Sequence, residues 1–217
     1  MTIEVRAMKE RLAVVAVVAA LCGPAVLAGQ VDAGVSVSDG RLQSFYLAVG
    51  DHYHVAPDAA AGLQSRYRLL DEELPVVYFL AARAHVGPQV VVDLRLGKRS
   101  WLDIAVHFGL SPEIFFVPVH METIGPPYGN AYGYYRKYGR AGDWRKFAAT
   151  DREVIDLVNL RFMSEYHGLA PDEIIAMRGH QRSFVGVHDE IGKKKGKDKG
   201  AAGQASPSES KGKGKKK

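Results

Sequence analysis

A chain of 217 residues, 47% of them hydrophobic, is long enough to bury one sizeable core. Its formal net charge of +5 is unevenly spread, with about +8 in residues 193–217 and about −4 in residues 29–192, so the basic character belongs to the tail and the central part is mildly acidic. The single cysteine, Cys22, lies in the N-terminal apolar stretch, which leaves the rest of the chain without a disulfide or a thiol nucleophile.

From Met8 the sequence reads MKERLAVVAVVAALCGPAVLAGQ. A short basic head (Lys9, Arg11), an apolar run from Leu12 to Leu21 and the small-residue site Val26-Leu27-Ala28 make the pattern of a secretory signal peptide over residues 1–28, whether the start is Met1 or Met8. Gly23 and Pro24 interrupt the run, which is too short for a comfortable membrane span. Leu21 stands where a lipoprotein signal carries a small residue, which argues against lipidation of Cys22. The expected location is therefore the periplasm or the exterior, after cleavage near Ala28.

Residues 29–44, small and polar, read as a flexible lead to a helical domain over residues 45–192. A short helix from Phe45, a loop through Asp51 to Val55 with room for a strand at Tyr53 to Val55, and a helix from Pro57 come first. Asp71 then caps a strong helix in which Leu74, Val77, Tyr78, Ala81 and Ala84 form one stripe and Val76, Phe79 and Leu80 fill the flank, the pattern of a helix central to a core. Gln89 to Leu96 is helical. In GKRSWLDIAVHFGLSP (Gly97 to Pro112), Ser100 is an N-cap with Asp103 three residues on, Trp101, Ile104, Ala105 and Phe108 recur at helical spacing, and Gly109 closes the helix. Residues 118–150 are rich in Gly and Tyr and read as an ordered loop with one helical turn. Thr150 and Glu153 form a capping box for the next long helix, which Gly168 stops. Residues 193–217, with no apolar residue larger than Ala, are expected to be disordered.

Shifting the chain by 83 aligns residues 77–109 with 160–192 without a gap. Phe79 meets Phe162, Pro88 meets Pro171, Arg95 meets Arg178, Ser100 meets Ser183, Trp101 meets Phe184 and Gly109 meets Gly192. The fold class expected is all-α, a compact helical domain built from a duplicated helix–helix–turn–helix unit whose two copies pack their apolar faces together.

Residues 71–192 resemble a group of short exported bacterial proteins carrying a helical unit with LR, G, SW, DIA and GLSPE elements in that order. Here these are Leu94-Arg95, Gly97, Ser100-Trp101, Asp103-Ile104-Ala105 and Gly109 to Glu113. The resemblance implies fold and export and carries no catalytic residue. The same stretch has helix-turn-helix spacing, but its second helix, PEIFFV from Pro112, offers one acid and no base to DNA, so no specific DNA binding is expected. SWLDIAVHFGLSP is also similar to the first helix of LysM modules, although the flanks read as helices where that module has strands.

Tyr128, Tyr132, Tyr134, Tyr135 and Tyr138, with Arg136 and Trp144, are the candidate binding residues. They form an aromatic-basic cluster in loop 125–142 that suits stacking on sugars or bases or contact with a protein, unless the rings serve to pin the loop to the core. Arg95, Arg99, Arg178 and Arg182 suit either a two-fold anionic site or, more simply, helix ends paired with acids such as Asp93 or Asp103. His52 and His54 share a face only if the backbone is extended, and no third metal ligand stands at a telling spacing. Neither a catalytic set nor a cofactor motif stands out. The lysine tail suits anionic partners, whether lipid headgroups, envelope polymers or nucleic acid, through a non-specific attraction that falls with salt. These features together lead to the expectation of an exported, non-enzymatic binding or structural protein of the cell envelope. The rivals are a helix-turn-helix nucleic-acid binder, if the leader stays on, and a periplasmic enzyme of unknown chemistry.

Overall fold

A computed structural model describes residues 40–120, 128–138 and 143–202, and the leader expected over residues 1–28 lies outside them. The described residues form nine α-helices and no strand: α1 (Gly40–Tyr53), α2 (Pro57–Tyr67), α3 (Leu74–Ala84), α4 (Pro88–Leu96), α5 (Trp101–His107), α6 (Gly129–Tyr138), α7 (Asp151–His167), α8 (Pro171–His180) and α9 (Phe184–Ala202). The all-α expectation holds.

Local chemistry sets the ends of these helices. Proline opens α2, α4 and α8, where its fixed φ suits the first turn and its missing N–H is not needed. The Ser100 hydroxyl accepts the Asp103 N–H at 3.0 Å to cap α5. At α7, Thr150 Oγ1 accepts the Glu153 N–H at 3.3 Å while Glu153 Oε2 accepts the Thr150 N–H at 2.8 Å, a reciprocal capping box. Gly168, at φ 68°, ends that helix in the left-handed region.

The core centres on α3 and α7. Leu74 to Ala81 are buried without a break, and Val154 to Leu160 likewise, so both helices are enclosed nearly all round. They pack on each other; α4 and α5 lie against α3, α8 and α9 against α7, and α1 bridges α3, α7 and α9 with α2 on its outer side. Trp101, Phe115, Phe162 and Phe184 are among the largest fully enclosed side chains, each worth about 2 to 3 kcal/mol of apolar burial.

Five expectations change. Helix α1 begins at Gly40, inside the segment expected to be a flexible lead, because Phe45, Tyr46, Ala48 and Val49 give its first turns a buried face. It also runs through Tyr53, which removes the strand considered at Tyr53 to Val55. Asp71–Glu73 is a 3-10 turn before α3 rather than its cap, with Glu73 Oε2 accepting the Leu70 N–H at 3.0 Å. Pro112–Phe115 is likewise a single 3-10 turn with Phe115 buried, so the helix-turn-helix spacing has no second helix to enter a groove. Finally, α9 continues to Ala202, ten residues into the tail expected to be disordered. Pairs between Lys193 and Asp189 at 2.6 Å, and between Lys194 and Glu190 at 2.7 Å, support its exposed turns.

Under the shift of 83, α4 begins where α8 begins and α5 where α9 begins, while α3 falls on the last eleven residues of α7. The ends differ. Gly109 stands just past the end of α5 at φ 72°, whereas Gly192 lies inside α9.

Candidate functional site

The tyrosine cluster is a helix rather than a loop. In α6 (GNAYGYYRKY), Ala131, Tyr132 and Tyr135, together with Tyr128 just before it, fall on one face at helical spacing, and that face is driven into the core. Tyr128, Tyr132 and Tyr135 are 1%, 3% and 5% exposed, which removes them from any stacking surface. The Tyr132 O–H donates to the Val117 carbonyl at 2.7 Å. The Tyr135 ring stacks on Phe147 at 5.3 Å with 4° between planes and meets Phe116 edge-on at 4.6 Å. Burial raises the pKa of all three phenols, and the hydroxyls of Tyr128 and Tyr135 find no hydrogen-bond partner among the described residues. Trp144, in the 3-10 turn Trp144–Lys146, is half-buried against Tyr135 at 5.6 Å. Arg136 is exposed, and Tyr138 closes α6 with its side chain outside the described residues. The seven residues therefore divide between scaffold and surface and do not make one open patch.

The outward side of α6 is different. Gly129 and Gly133, four residues apart, leave bare backbone beside Asn130, Tyr134 and Lys137, and with Thr150 and Glu153 at the start of α7 they line an open cavity of about 630 Å³. A Cβ added at Gly133 would meet nothing within 4 Å, so the glycine leaves space that no neighbour takes. Tyr134 is half-buried and held edge-on to Phe147 at 5.9 Å, presenting a fixed ring to this space. A volume of this size, with one aromatic ring, an amide, an ammonium group and a carboxylate around it, suits a small polar ligand.

The arginines named from the sequence are mostly structural. Arg95 donates to Glu73 Oε1 at 2.8 Å, to Asp151 Oδ2 at 2.5 Å and to the Arg99 carbonyl at 3.1 Å, with its guanidinium 4.6 Å from the Trp101 ring. Burial works against its charge, but the two carboxylates outweigh it and raise its pKa. Arg178 donates to the Gln181 carbonyl at 2.6 Å, stands 3.9 Å from Asp156 and lies 5.3 Å from the Phe184 ring. The acids are thus Glu73, Asp151 and Asp156 rather than Asp93 or Asp103. Asp156 is fully enclosed, and burial raises its pKa against the pull of Arg152 and Arg178. Arg99 reaches His107 at 3.4 Å, and Arg182 is exposed on a second cavity of about 410 Å³.

Histidines converge where no sequence spacing indicated it. His52 and His54 do not share a face: His52 is on α1, 3.5 Å from Glu165, and His54 is in the left-handed region at φ 55°. Burial lowers the His52 pKa. His120 is exposed and pairs with Asp172 at 3.3 Å. Ser44, His188 and His167 instead form a chain, with Ser44 Oγ 3.0 Å from His188 Nε2 and His188 Nδ1 3.1 Å from His167 Nε2. Their separations of 144 and 21 residues belong to no local motif, and only the packing of α1, α7 and α9 brings them together. Among the described residues no group of three or more His, Cys, Asp or Glu could hold a metal ion, and no helix is long and apolar enough to cross a membrane. Compared with known proteins, the chain matches no protein-family model, no curated protein and no solved structure.

Proposed function

We propose that the chain is an exported binding protein of the cell envelope, its leader removed near Ala28 and its helical domain built by duplication of the unit in residues 77–109 and 160–192. The cavity beside α6 carries the binding part of this reading. A buried tyrosine face fixes the helix, and the opposite face offers Tyr134, Asn130 and Lys137 around bare glycine backbone. An aromatic ring with flanking hydrogen-bonding groups suits a polyhydroxylated ligand, and envelope polysaccharide has that chemistry. The exposed Lys193, Lys194, Lys195 and Lys197 on α9 add a salt-sensitive attraction to anionic polymer. The signal-peptide pattern supports export, and the matching starts of α4 with α8 and α5 with α9 support duplication.

Two measurements test the proposal. The intact mass and cell fraction of the protein in its own host should give a chain beginning at Gly29 outside the cytoplasm; an uncut cytoplasmic chain overturns the export reading. Titration of the full chain with soluble fragments of the host's envelope polysaccharide should shift the Gly133 and Tyr134 amide resonances. Gly133→Leu, which fills open space, should weaken binding about tenfold, and binding that ignores this substitution removes the cavity from the proposal.

A further inference from the structure

We propose that Ser44 is a nucleophile toward activated esters, with His188 as its general base and His167 as the group that orients the base. Ser44 is exposed on α1, while the imidazole it touches belongs to a residue only 7% exposed. The contacts of 3.0 Å from Ser44 Oγ to His188 Nε2 and 3.1 Å from His188 Nδ1 to His167 Nε2 give the order that activates a serine: hydroxyl, base, orienting group. The tautomer with the proton on His188 Nδ1, donated to His167, leaves Nε2 to accept the serine proton, and the Ser44 carbonyl against the same ring favours the charged form that results. Phe45 and Tyr166 lie 6.1 and 6.2 Å from the His188 ring between centroids, which limits the positions it can take. Burial lowers the pKa of both histidines, so both rings are neutral at neutral pH, as a base must be.

The surroundings of Ser44 indicate the substrate class. The second cavity, about 410 Å³, is walled by Arg41 of α1 and Val185 of α9, and Ser44 and His188 each lie three residues further along the same two helices. One helical turn therefore separates the hydroxyl from the cavity. Arg152 and Arg182 also line it. The acids there are engaged: Asp71 accepts the Tyr46 O–H at 2.5 Å, and Glu72 accepts the Phe184 N–H at 2.5 Å and pairs with Arg152 at 3.2 Å. Arg182 makes no hydrogen bond or ion pair among the described residues and is available to an anion. The fitting substrate is an ester whose acyl part ends in a carboxylate.

The chemistry balances without a co-reactant beyond water. Ser44 Oγ forms a bond to the carbonyl carbon as its proton passes to His188 Nε2. The tetrahedral adduct collapses, breaking the bond to the leaving oxygen, which takes that proton. Water then repeats the sequence on the acyl-serine, releasing the acid and restoring the hydroxyl. Leader cleavage and binding at the α6 cavity have no part in these steps.

The full chain is treated at neutral pH with a fluorophosphonate, which forms an Oγ–P bond with loss of fluoride, and with 4-nitrophenyl acetate and the anionic 4-nitrophenyl succinate. The expected result is stoichiometric labelling located at Ser44 by peptide mapping, and a burst of nitrophenol that is faster with the succinate. Ser44→Ala, at an exposed position, should keep the helical circular dichroism and lose the label. His188→Gln should slow labelling about 100-fold, and Arg182→Ala should slow the succinate alone about tenfold. A chain that takes no label, a label that survives Ser44→Ala, or a His188→Gln variant labelled at the wild-type rate overturns the nucleophile. Equal rates for the two esters overturn the anionic substrate.

Discussion

Arg95 and Arg178 stand at matching places near the ends of α4 and α8, and each guanidinium lies against the first ring of the following helix, Trp101 or Phe184. Their acid partners differ. Arg95 is held by two carboxylates at hydrogen-bond distance, from Glu73 and Asp151, whereas Arg178 has Asp156 at 3.9 Å and an Nε with no partner. The backbone N–H groups that start α5 and α9 are satisfied crosswise: Trp101 donates to Asp151 at the start of α7 at 2.8 Å, and Phe184 donates to Glu72 ahead of α3 at 2.5 Å. The two regions share the local device of arginine, serine cap and aromatic residue. The long-range acids tie α5 to the start of α7 and α9 to the turn ahead of α3, and they do so unequally.

Removing each arginine should expose that inequality. Arg95→Ala strands the 6%-exposed Glu73 and half of Asp151, and is expected to cost about 3 kcal/mol. Arg178→Ala leaves Asp156 with Arg152 at 3.0 Å and should cost about 1 kcal/mol. Urea unfolding of both variants checks the order; equal losses would mean that the shorter contacts of Arg95 carry no extra stability.

The next largest effect separates the regions by pH. His167 and His188 align with Ala84 and Ala105, so the imidazole pair belongs to the second region alone. Burial, and then the neighbouring His188 and Lys195, push the His167 pKa down from 6.5 to about 4, and burial also lowers that of His188. The folded protein therefore prefers both rings neutral. The stability this gives is present above the unfolded pKa and is lost as pH falls from 6.5 toward 4, by about 3 kcal/mol for an enclosed ring and about 2 kcal/mol once solvent screening at the partly exposed His167 is allowed for. Putting alanine at both positions, as the first region has, should flatten the unfolding free energy across that window and leave the slope due to His52 and, with opposite sign, that due to Asp156. An unchanged slope would place the acid sensitivity elsewhere. The slope is the readout, because the cavities left by alanine lower stability at every pH.

Elements with a local cause were legible in the sequence. Pro88, Ser100, Thr150 with Glu153, and Gly168 each mark a helix end through contacts within a few residues, and the apolar run of α3 announced its central place. The tyrosine segment misled because its glycines resemble loop punctuation, while Tyr128, Ala131, Tyr132 and Tyr135 already carry helical spacing. Of the residues chosen there, Tyr134 does line a cavity, since it points to the glycine side rather than the core. Ser44 with His188, and Arg95 with Asp151, stayed hidden because tertiary packing alone makes them neighbours.

The smallest effect concerns the helix ends that the two regions share. His85 and Gly168 align, and both end a long helix in the left-handed region, at φ 55° and 68°. The following amides bond alike, Val86 to the Ala81 carbonyl at 3.0 Å and Leu169 to the Ser164 carbonyl at 3.2 Å. Only glycine adopts this conformation without a Cβ penalty, which is about 1 kcal/mol for other residues. The His85 side chain is exposed and makes no hydrogen bond or ion pair among the described residues, so His85→Gly forfeits little in the folded state. Glycine also loosens the unfolded chain, which offsets part of the gain, and the net expectation is a stabilisation of about 0.5 kcal/mol. The reverse change, Gly168→Ala, should cost about 1 kcal/mol through backbone conformation alone, since a Cβ there meets nothing within 4 Å. Opposite shifts of the thermal midpoint in the two variants would show that the capping geometry is one device in both regions. A loss of stability in His85→Gly would show that its imidazole contributes something that glycine cannot replace.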